Sequence, residues 1–247
     1  MKVSVLTVVY NNATTISSAI ESVLQQSYVD IEFIIVDGGS TDGTLDKISQ
    51  YRNSIHTLIS EPDKGIYDAM NKGLSKASGE IICILNSDDI YSDQFVIQKV
   101  VDKFQASNID GVYGDLHYVD AKDTNVVLRR WISGEYKPDS FLFGWMPPHP
   151  SFFVRRDIYE KFGVFNTKLK SAADYELMLR FIHKHKIKIA YIQEVLVKMR
   201  SGGVSNSSLK NRLRANLEDR QAWKLNNLKP YFFTLFLKPL RKLAQFL

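Results

Sequence analysis

The feature that most constrains the fold is a short apolar run that ends in two adjacent carboxylates. Residues 81–85 are consecutive apolar residues, Ile-Ile-Cys-Ile-Leu, and Asn86, Ser87, Asp88 and Asp89 follow directly. A run of this length, bounded by glycine and polar residues, is typical of a strand buried on both faces of a parallel sheet. The strand would deliver both carboxylates to its carboxyl end, where open α/β sheets bind their ligands.

Two neighbouring carboxylates repel each other, so a positive charge near Asp88 and Asp89 is expected to offset them. A hard divalent cation that also holds a diphosphate would meet this need. The same residues also suit a turn followed by a helix N-cap, because Asn, Ser and Asp favour both positions. Taken alone, the pattern leaves both interpretations open.

The rest of the amino-terminal half alternates strand and helix patterns. Further strand patterns at 3–9, 31–36 and 55–59 alternate with helical patterns near 14–24, 44–51 and 66–76. Repeated βαβ units with short connections predict an α/β fold with a central, mainly parallel sheet flanked by helices. After residue 110 the pattern predicts a mixed extension with strands at 111–119 and 126–131, loops over a site at 129–150, and a helix at 173–184. Two final strands are predicted at 187–192 and 195–199.

The composition is that of an ordinary globular protein, with 45% hydrophobic and 24% charged residues among 247. Cys83 is the single cysteine, so no disulfide forms within the chain, which suits a reducing compartment. The first apolar run is too short for a signal peptide, and no stretch is long enough for a transmembrane helix. We therefore expect a cytoplasmic protein.

The carboxy-terminal part is basic, since Lys and Arg outnumber Asp and Glu after about residue 184. Residues 228–247 mix aromatic and aliphatic side chains with Lys and Arg, which predicts a basic amphipathic helical tail on an anionic membrane surface. A helix that packs on the domain or on a second subunit would have the same pattern. No nucleic-acid-binding motif accompanies the charge, so no nucleic acid partner is expected.

In a parallel sheet, the strand ends would bring Tyr10, Asp37 and the acidic pair to one edge. A carboxylate such as Asp37 can accept hydrogen bonds from a nucleobase or from ribose hydroxyls. Asp37 also precedes Gly38 and Gly39, and an ordinary turn residue occupies such a position equally well.

Four segments in order carry a family resemblance: Val-Val-Tyr-Asn-Asn (8–12), Val-Asp-Gly-Gly-Ser-Thr-Asp-Gly-Thr (36–44), Gly-Ile-Tyr-Asp-Ala-Met-Asn-Lys-Gly (65–73) and Leu-Asn-Ser-Asp-Asp (85–89). The chain resembles family 2 of the inverting glycosyltransferases, of the bacterial cell-surface polysaccharide and glycolipid type, which have the GT-A fold. The resemblance covers roughly 1–205 and implies a nucleotide-binding half at 1–110 and an acceptor and catalytic half at 111–205. The tail at 206–247 lies beyond it.

The resemblance also implies which residues contact a nucleoside diphosphate sugar, with a UDP-sugar as the expected donor. Asn86 stands where many relatives have Asp, so its contact would be a neutral one. The expected nucleotide-binding residues are Thr7, Val9, Tyr10, Asp37, Lys64, Asn71, Asn86, Asp88 and Arg200. For Lys64 and Asn71, a solvated loop position and a helix surface position remain equally open.

A divalent cation, Mn²⁺ or Mg²⁺, is implied as cofactor, with Asp88, Asp89 and His149 as ligands. His149 lies between prolines, where an ordinary loop residue is also expected. Asp174 matches the catalytic base of the family, although Ala173 replaces the usual Glu before it. Arg200 and the Gly202-Gly203 pair resemble the mobile segment that closes over the donor diphosphate.

These features together predict a metal-dependent inverting glycosyltransferase acting on a glycan or lipid-linked acceptor, bound peripherally at the cytoplasmic face of the inner membrane. A non-catalytic module that binds nucleotide-sugars or glycans on the same fold is the alternative. No Gly-rich phosphate loop follows the first strand, which argues against a nucleotidyltransferase or a Rossmann dehydrogenase.

Overall fold

The computed structural model describes residues 1–202, 209–243 and 245. The strands are β1 (Val3–Val9), β2 (Ile31–Asp37), β3 (Thr57–Ser60), β4 (Ile81–Ile84), β5 (Asp89–Tyr91), β6 (Gly111–Val119), β7 (Val127–Trp131), β8 (Phe152–Arg155) and β9 (Ile189–Arg200). The α-helices are α1 (Ile16–Leu24), α2 (Thr44–Ser49), α3 (Ile66–Leu74), α4 (Val96–Ala106), α5 (Arg156–Phe162), α6 (Ala173–Met178), α7 (Leu209–Leu225) and α8 (Thr234–Leu243).

Within the described residues the strands form one sheet in the order β3-β2-β1-β4-β8-β6-β9-β5, and β7 pairs with β6. The first four strands along this order run parallel, as the βαβ pattern predicts. From β8 onward the pairing is mixed: β8 lies antiparallel to β4 and β6, whereas β6 and β9 are parallel. The α/β class with a central sheet flanked by helices is therefore confirmed, and the sheet is parallel in its amino-terminal half.

Each face of the sheet carries its own apolar core. In β1, Leu6 and Val8 face the core under α3, whereas Val5 and Val9 face the core under α1 and α4. Burial on both faces explains why this strand reads as a continuous apolar run instead of an alternating one. Each fully buried Val, Leu or Ile stabilises the fold by about 1.5–3 kcal/mol.

Several boundaries differ from the sequence predictions. The two predicted final strands are one strand, β9, whose pairing with β6 shifts register near Asp115. The short β5, which contains Asp89, was not predicted, since three residues carry no periodicity. The predicted helix at 173–184 begins as α6 and continues as a π-helical stretch, Leu179–Lys184.

The basic tail packs on the sheet domain through α7, and Ala222 and Trp223 lie in the core under α6. Helix α8 contains Pro239 near its middle. None of the described helices is long and apolar enough to cross a membrane. Gly203 and the predicted boundary between residues 205 and 206 lie outside the described residues.

Candidate active site

The carboxyl ends of β1, β2 and β4 form one edge of the sheet, because these strands run parallel and in register. Val9 pairs with Asp37, and the Leu85 N–H donates to the Leu6 carbonyl at 2.9 Å. Thr7 and Val9 are buried within the sheet, whereas the Tyr10 side chain is 64% exposed at the edge. Of these residues, only Tyr10 presents its side chain openly to a ligand.

Asp37 is fully buried and holds the turn after β2. Its carboxylate accepts the N–H groups of Gly39 and Ser40, each at 3.1 Å, and the Ser60 hydroxyl at 2.8 Å. These contacts correspond to the turn interpretation of Asp37. Contact with a nucleobase stays a prediction.

Asp63 is a carboxylate that no sequence motif singled out, and it lies against the same turn. A Cβ added to Gly38 would come within 2.3 Å of Asp63 Oδ2 and 3.5 Å of the Tyr10 ring. The missing side chain at Gly38 thus allows Asp63 to approach the edge beside Tyr10. Asp63 also accepts the Gly65 N–H at 2.7 Å, which fixes the loop that starts α3.

The acidic pair lies at the end of β4, with Asp89 fully buried and Asp88 partly exposed. Asn86 donates its side-chain amide to Asp89 Oδ2 at 2.9 Å. Burial, reinforced by the neighbouring Asp88, raises the pKa of Asp89 well above its usual range. Burial also raises the pKa of Asp88, and the nearby Arg200 opposes that rise. Both carboxylates are therefore desolvated, and a cation bound beside them would favour their ionised forms.

Arg200 reaches the acidic pair because β9 pairs with β5. Its guanidinium donates to the Asp88 backbone carbonyl at 2.7 Å and to the Ser18 hydroxyl at 3.0 Å. The charge of Arg200 is thus held beside Asp88 through backbone and α1 contacts. This geometry brings together two residues that are 112 positions apart in the chain.

Buried oxygen atoms near the acidic pair lack hydrogen-bond partners among the described residues. They are Thr7 Oγ1, Asn86 Oδ1 and Asp89 Oδ1. Unpaired buried oxygens are costly, and oxygen donors are the ligands that Mg²⁺ and Mn²⁺ prefer. Mg²⁺ commonly takes only one or two protein carboxylates and completes its shell with substrate phosphates and water. The donor set at Asn86, Asp88 and Asp89 therefore fits a divalent cation bound together with a diphosphate.

His149 is not brought together with the acidic pair as a ligand set. Across the described ranges, no group of three or more His, Cys, Asp or Glu side chains is arranged to hold a metal. The His149 ring packs edge-on against Phe165, with centroids 5.5 Å apart. Burial lowers the pKa of His149, so the imidazole is neutral near pH 7.

Asp174 lies in the first turn of α6, where the helix dipole favours a carboxylate. The Tyr67 hydroxyl donates to Asp174 Oδ1 at 3.1 Å. Burial, with Asp174 beside it, raises the pKa of Tyr67 well above its usual range, so the phenol keeps its proton and remains a donor. Tyr67 itself is held by stacking on Phe165 at 5.6 Å. The sequence motif contained Tyr67, but nothing in it pointed to this partner.

The Tyr118 phenol is subject to the charges of both Asp89 and Asp174. Burial raises the pKa of its phenol, and the carboxylates of Asp89 and Asp174 both add to the rise. The Arg129 guanidinium lies over the Tyr118 ring, 3.5 Å from its centroid. Asp89 and Asp174 thus both act electrostatically on this phenol, and the Arg129 cation opposes them.

Lys64 and Asn71 have different surroundings in the structure. Lys64 is exposed, and its backbone N–H donates to Asp68 at 3.0 Å. The Asn71 amide donates to the Phe165 carbonyl at 2.9 Å and accepts the Phe165 N–H at 3.0 Å. Asn71 therefore holds α3 to the segment before Asp174, and its contact with a base stays a prediction.

The amino-acid sequence of this chain is similar to that of known glycosyltransferases. The profile described as Glycosyl transferase family 2 matches residues 4–164. An uncharacterized glycosyltransferase of Nostoc sp. (strain PCC 7120) is 32% identical over 217 residues, covering 83% of this chain and 66% of the relative. A PGL/p-HBAD biosynthesis glycosyltransferase of Mycobacterium bovis is 28% identical over 211 residues, covering 83% of this chain and 79% of that protein.

Solved structures share the fold. Staphylococcus aureus TarS 1-349 in complex with UDP-GlcNAc has a TM-score of 0.70 at 17% identity, covering 92% of this chain and 65% of that one. The mannosyltransferase PcManGT from Pyrobaculum calidifontis in complex with GDP-Man and Mn²⁺ has a TM-score of 0.67 at 19% identity, covering 96% and 68%. The chain thus spans about two thirds of the length of several proteins that it matches.

Proposed function

Because the chain belongs to glycosyl transferase family 2, we propose that it transfers a sugar from a nucleoside diphosphate sugar to an acceptor hydroxyl, with inversion at the anomeric carbon. One observation carries this proposal: Asp89 of the acidic pair and Asp174 both act electrostatically on the Tyr118 phenol. The acidic pair would then hold a cation that binds the diphosphate, and Asp174 would face the acceptor. An inverting transfer needs these two functions on opposite sides of the reacting carbon.

The donor is a UDP-sugar, with its nucleoside at the edge formed by β1 and β2. Tyr10 offers an exposed ring for stacking, and Asp63 offers a carboxylate beside it. The complexes of TarS with UDP-GlcNAc and of PcManGT with GDP-Man support a nucleotide-sugar in this fold. The choice between nucleotides rests with side chains around Tyr10.

Asp174 acts as the general base that takes the proton of the attacking hydroxyl. The Tyr67 hydroxyl holds Asp174 Oδ1, so the other carboxylate oxygen is left to accept the proton. Asp88 and Asn86 would hold a divalent cation, Mn²⁺ or Mg²⁺, which neutralises charge on the departing diphosphate when bound. Arg200 and Arg129 add positive charge on the same side.

The acceptor enters from a cavity of about 490 Å³ between the end of β7 and α8. Its wall includes Arg130, Trp131, Ile132, Trp145, Lys238 and Arg241. Lys238 on this wall also packs toward α6, where its Nζ lies 3.6 Å from the ring centroid of Tyr175, the residue after Asp174. Cationic and aromatic groups together suit a lipid-linked acceptor that carries a phosphate.

The tail holds the enzyme on an anionic membrane surface, at the cytoplasmic face of the inner membrane. Phe232, Phe236 and Leu240 are spaced four residues apart and are 89%, 65% and 55% exposed. Arg241 is also exposed beside them. An exposed apolar stripe with adjacent positive charge is typical of a helix lying in a lipid interface.

The proposal is tested by thermal unfolding with a panel of nucleoside diphosphates, with and without Mn²⁺. A ligand that binds the folded state raises the unfolding temperature. We expect one nucleotide to give an Mn²⁺-dependent rise in wild type that is lost in Asp88→Ala. The matched control is Asp102→Ala, which removes an exposed carboxylate on α4 and should keep the rise. No rise with any nucleotide would contradict the proposal and would favour a glycan-binding module.

A further inference from the structure

The tail helix α7 provides a carboxylate to the chain segment just before Asp174. Glu218 is 7% exposed, and its Oε2 accepts the backbone N–H groups of Lys170, Ser171 and Ala172 at 3.0, 2.7 and 3.0 Å. Hydrogen bonds from several donors to one ionised oxygen are strong and fix the backbone that supplies them. The turn that leads into α6 is therefore shaped around the Glu218 carboxylate.

The local sequence of this turn explains why an outside group is needed. The N-cap position of α6 is Ala172, which has no side chain able to accept a hydrogen bond. Helices leave their first N–H groups without partners inside the helix. Glu218 instead accepts the N–H of this N-cap residue and of the two residues before it, so it fixes the turn from a position 46 residues away.

Two further contacts, one from α7 and one from Asn226 just after its end, fix the residues that follow Asp174. The Trp223 indole N–H donates to the Tyr175 hydroxyl at 2.9 Å. The Asn226 amide donates to Glu176 Oε1 at 2.9 Å, and Arg180 binds the same carboxylate at 3.0 Å. One helix thus contacts the chain on both sides of Asp174, whereas the Asp174 side chain itself is held by Tyr67 from α3.

We propose that Glu218 is a positioning residue for Asp174, so that α7 belongs to the catalytic apparatus. This inference rests on the proposed function, in which Asp174 takes the acceptor proton. A base must lie within hydrogen-bond reach of the reacting hydroxyl, and a misplacement of about 1 Å costs on the order of 100-fold in rate. Loss of the Glu218 contacts frees the turn that sets the Asp174 position without touching the nucleotide edge.

The test compares Glu218→Ala and Glu218→Gln with wild type in steady-state sugar transfer, below the unfolding temperature of each variant. We expect kcat to fall about 10–100-fold in Glu218→Ala with the donor KM unchanged. The Gln amide oxygen still accepts N–H groups, so Glu218→Gln should keep an intermediate kcat. A kcat of Glu218→Ala within twofold of wild type would overturn the proposal, as would an equal loss in kcat and donor affinity.

Glu32→Ala is the matched control. Glu32 is also a buried carboxylate that accepts a backbone N–H, from Ser78 at 2.7 Å, but it lies on β2 toward the amino ends of the strands. We expect this control to lower thermal stability and leave kcat of the folded enzyme unchanged. A fall of kcat in the control as large as in Glu218→Ala would show a general effect of lost stability and would overturn the positioning role.

A second readout separates this inference from the proposed function. Hydrogen exchange of the backbone amides of Ala173–Met178 should be faster in Glu218→Ala than in wild type and unchanged in Glu32→Ala. Unchanged exchange in Glu218→Ala would overturn the positioning role whatever the activity. Faster exchange in a protein whose wild type transfers no sugar from any nucleotide donor would support the positioning role and refute the proposed function.

Discussion

Replacing Asn71 with alanine separates a structural role of this residue from a nucleotide-binding role. The Asn71 side chain makes two hydrogen bonds to the backbone of Phe165, 94 residues away, and Phe165 is buried. The variant removes both bonds and leaves a buried N–H and a buried carbonyl without partners. At about 1–3 kcal/mol for each unsatisfied group, partly relieved by water, we expect a loss of roughly 2–4 kcal/mol. For a chain of this size that lowers the unfolding temperature by roughly 5–15 °C.

The assay is thermal unfolding of wild type and Asn71→Ala with and without saturating nucleotide. We expect a lower baseline unfolding temperature and an unchanged rise on nucleotide addition, because the amide is engaged with Phe165. Lys64→Ala is the control for the same motif, since Lys64 is exposed and its loss should leave the baseline unchanged. An unchanged baseline with a lost nucleotide effect in Asn71→Ala would refute the structural role.

Three further changes test other parts of the molecule. Tyr67→Phe removes a hydrogen bond to the Asp174 carboxylate that contributes about 1.5 kcal/mol. The kcat for transfer should therefore fall about 10-fold, with the donor KM unchanged. An unchanged kcat would contradict the contact with Asp174. Burial alone would raise the pKa of Glu32, but hydrogen bonds from Ser4, Ser78 and Lys2 lower it to about 2. The stabilisation by ionised Glu32 is therefore present above its ordinary pKa of about 4.5 and is lost as the pH falls through about 2. Urea unfolding should show that Glu32→Gln is less stable than wild type at pH 7 and equal to it near pH 2. A difference in unfolding free energy that stays constant with pH would refute this. Phe236→Asp puts a charge on the exposed stripe, so cosedimentation with anionic vesicles should drop about 10-fold at unchanged unfolding temperature, and undiminished binding would exclude the stripe as the contact.

The amino-terminal half of the fold was predictable because its strands are buried on both faces. β1, β2 and β4 are mostly apolar along their length, and polar residues follow each strand, so the edge of the sheet follows from the chain order. The fold of the later half was harder to predict from the sequence, because β7 is half-exposed and β5 has only three residues. The positions of β7 and β5 depend on their pairing with β6 and β9, and no local sequence pattern indicates such pairing.

The acidic residues proposed for the site were predicted from the sequence, whereas most of the side chains that contact them were not. Asp88, Asp89 and Asp174 stand at the end of a strand or the start of a helix, where position alone suggests a role. Tyr67 lies 107 residues from Asp174, and Glu218 lies on a basic helix whose charge pattern indicates a solvated face. Contacts of this kind come from the packing of distant elements, so periodicity and motif spacing carry no sign of them.

The most direct test of the proposed function is to measure sugar transfer by Asp174→Asn, with donor binding measured in the same sample. Asparagine keeps the size of the side chain and can still accept the Tyr67 hydroxyl, but it cannot take a proton. We expect turnover to fall about 100–10,000-fold, the usual contribution of a general base, with donor affinity unchanged. Turnover equal to that of wild type would contradict the assignment of Asp174 as the base.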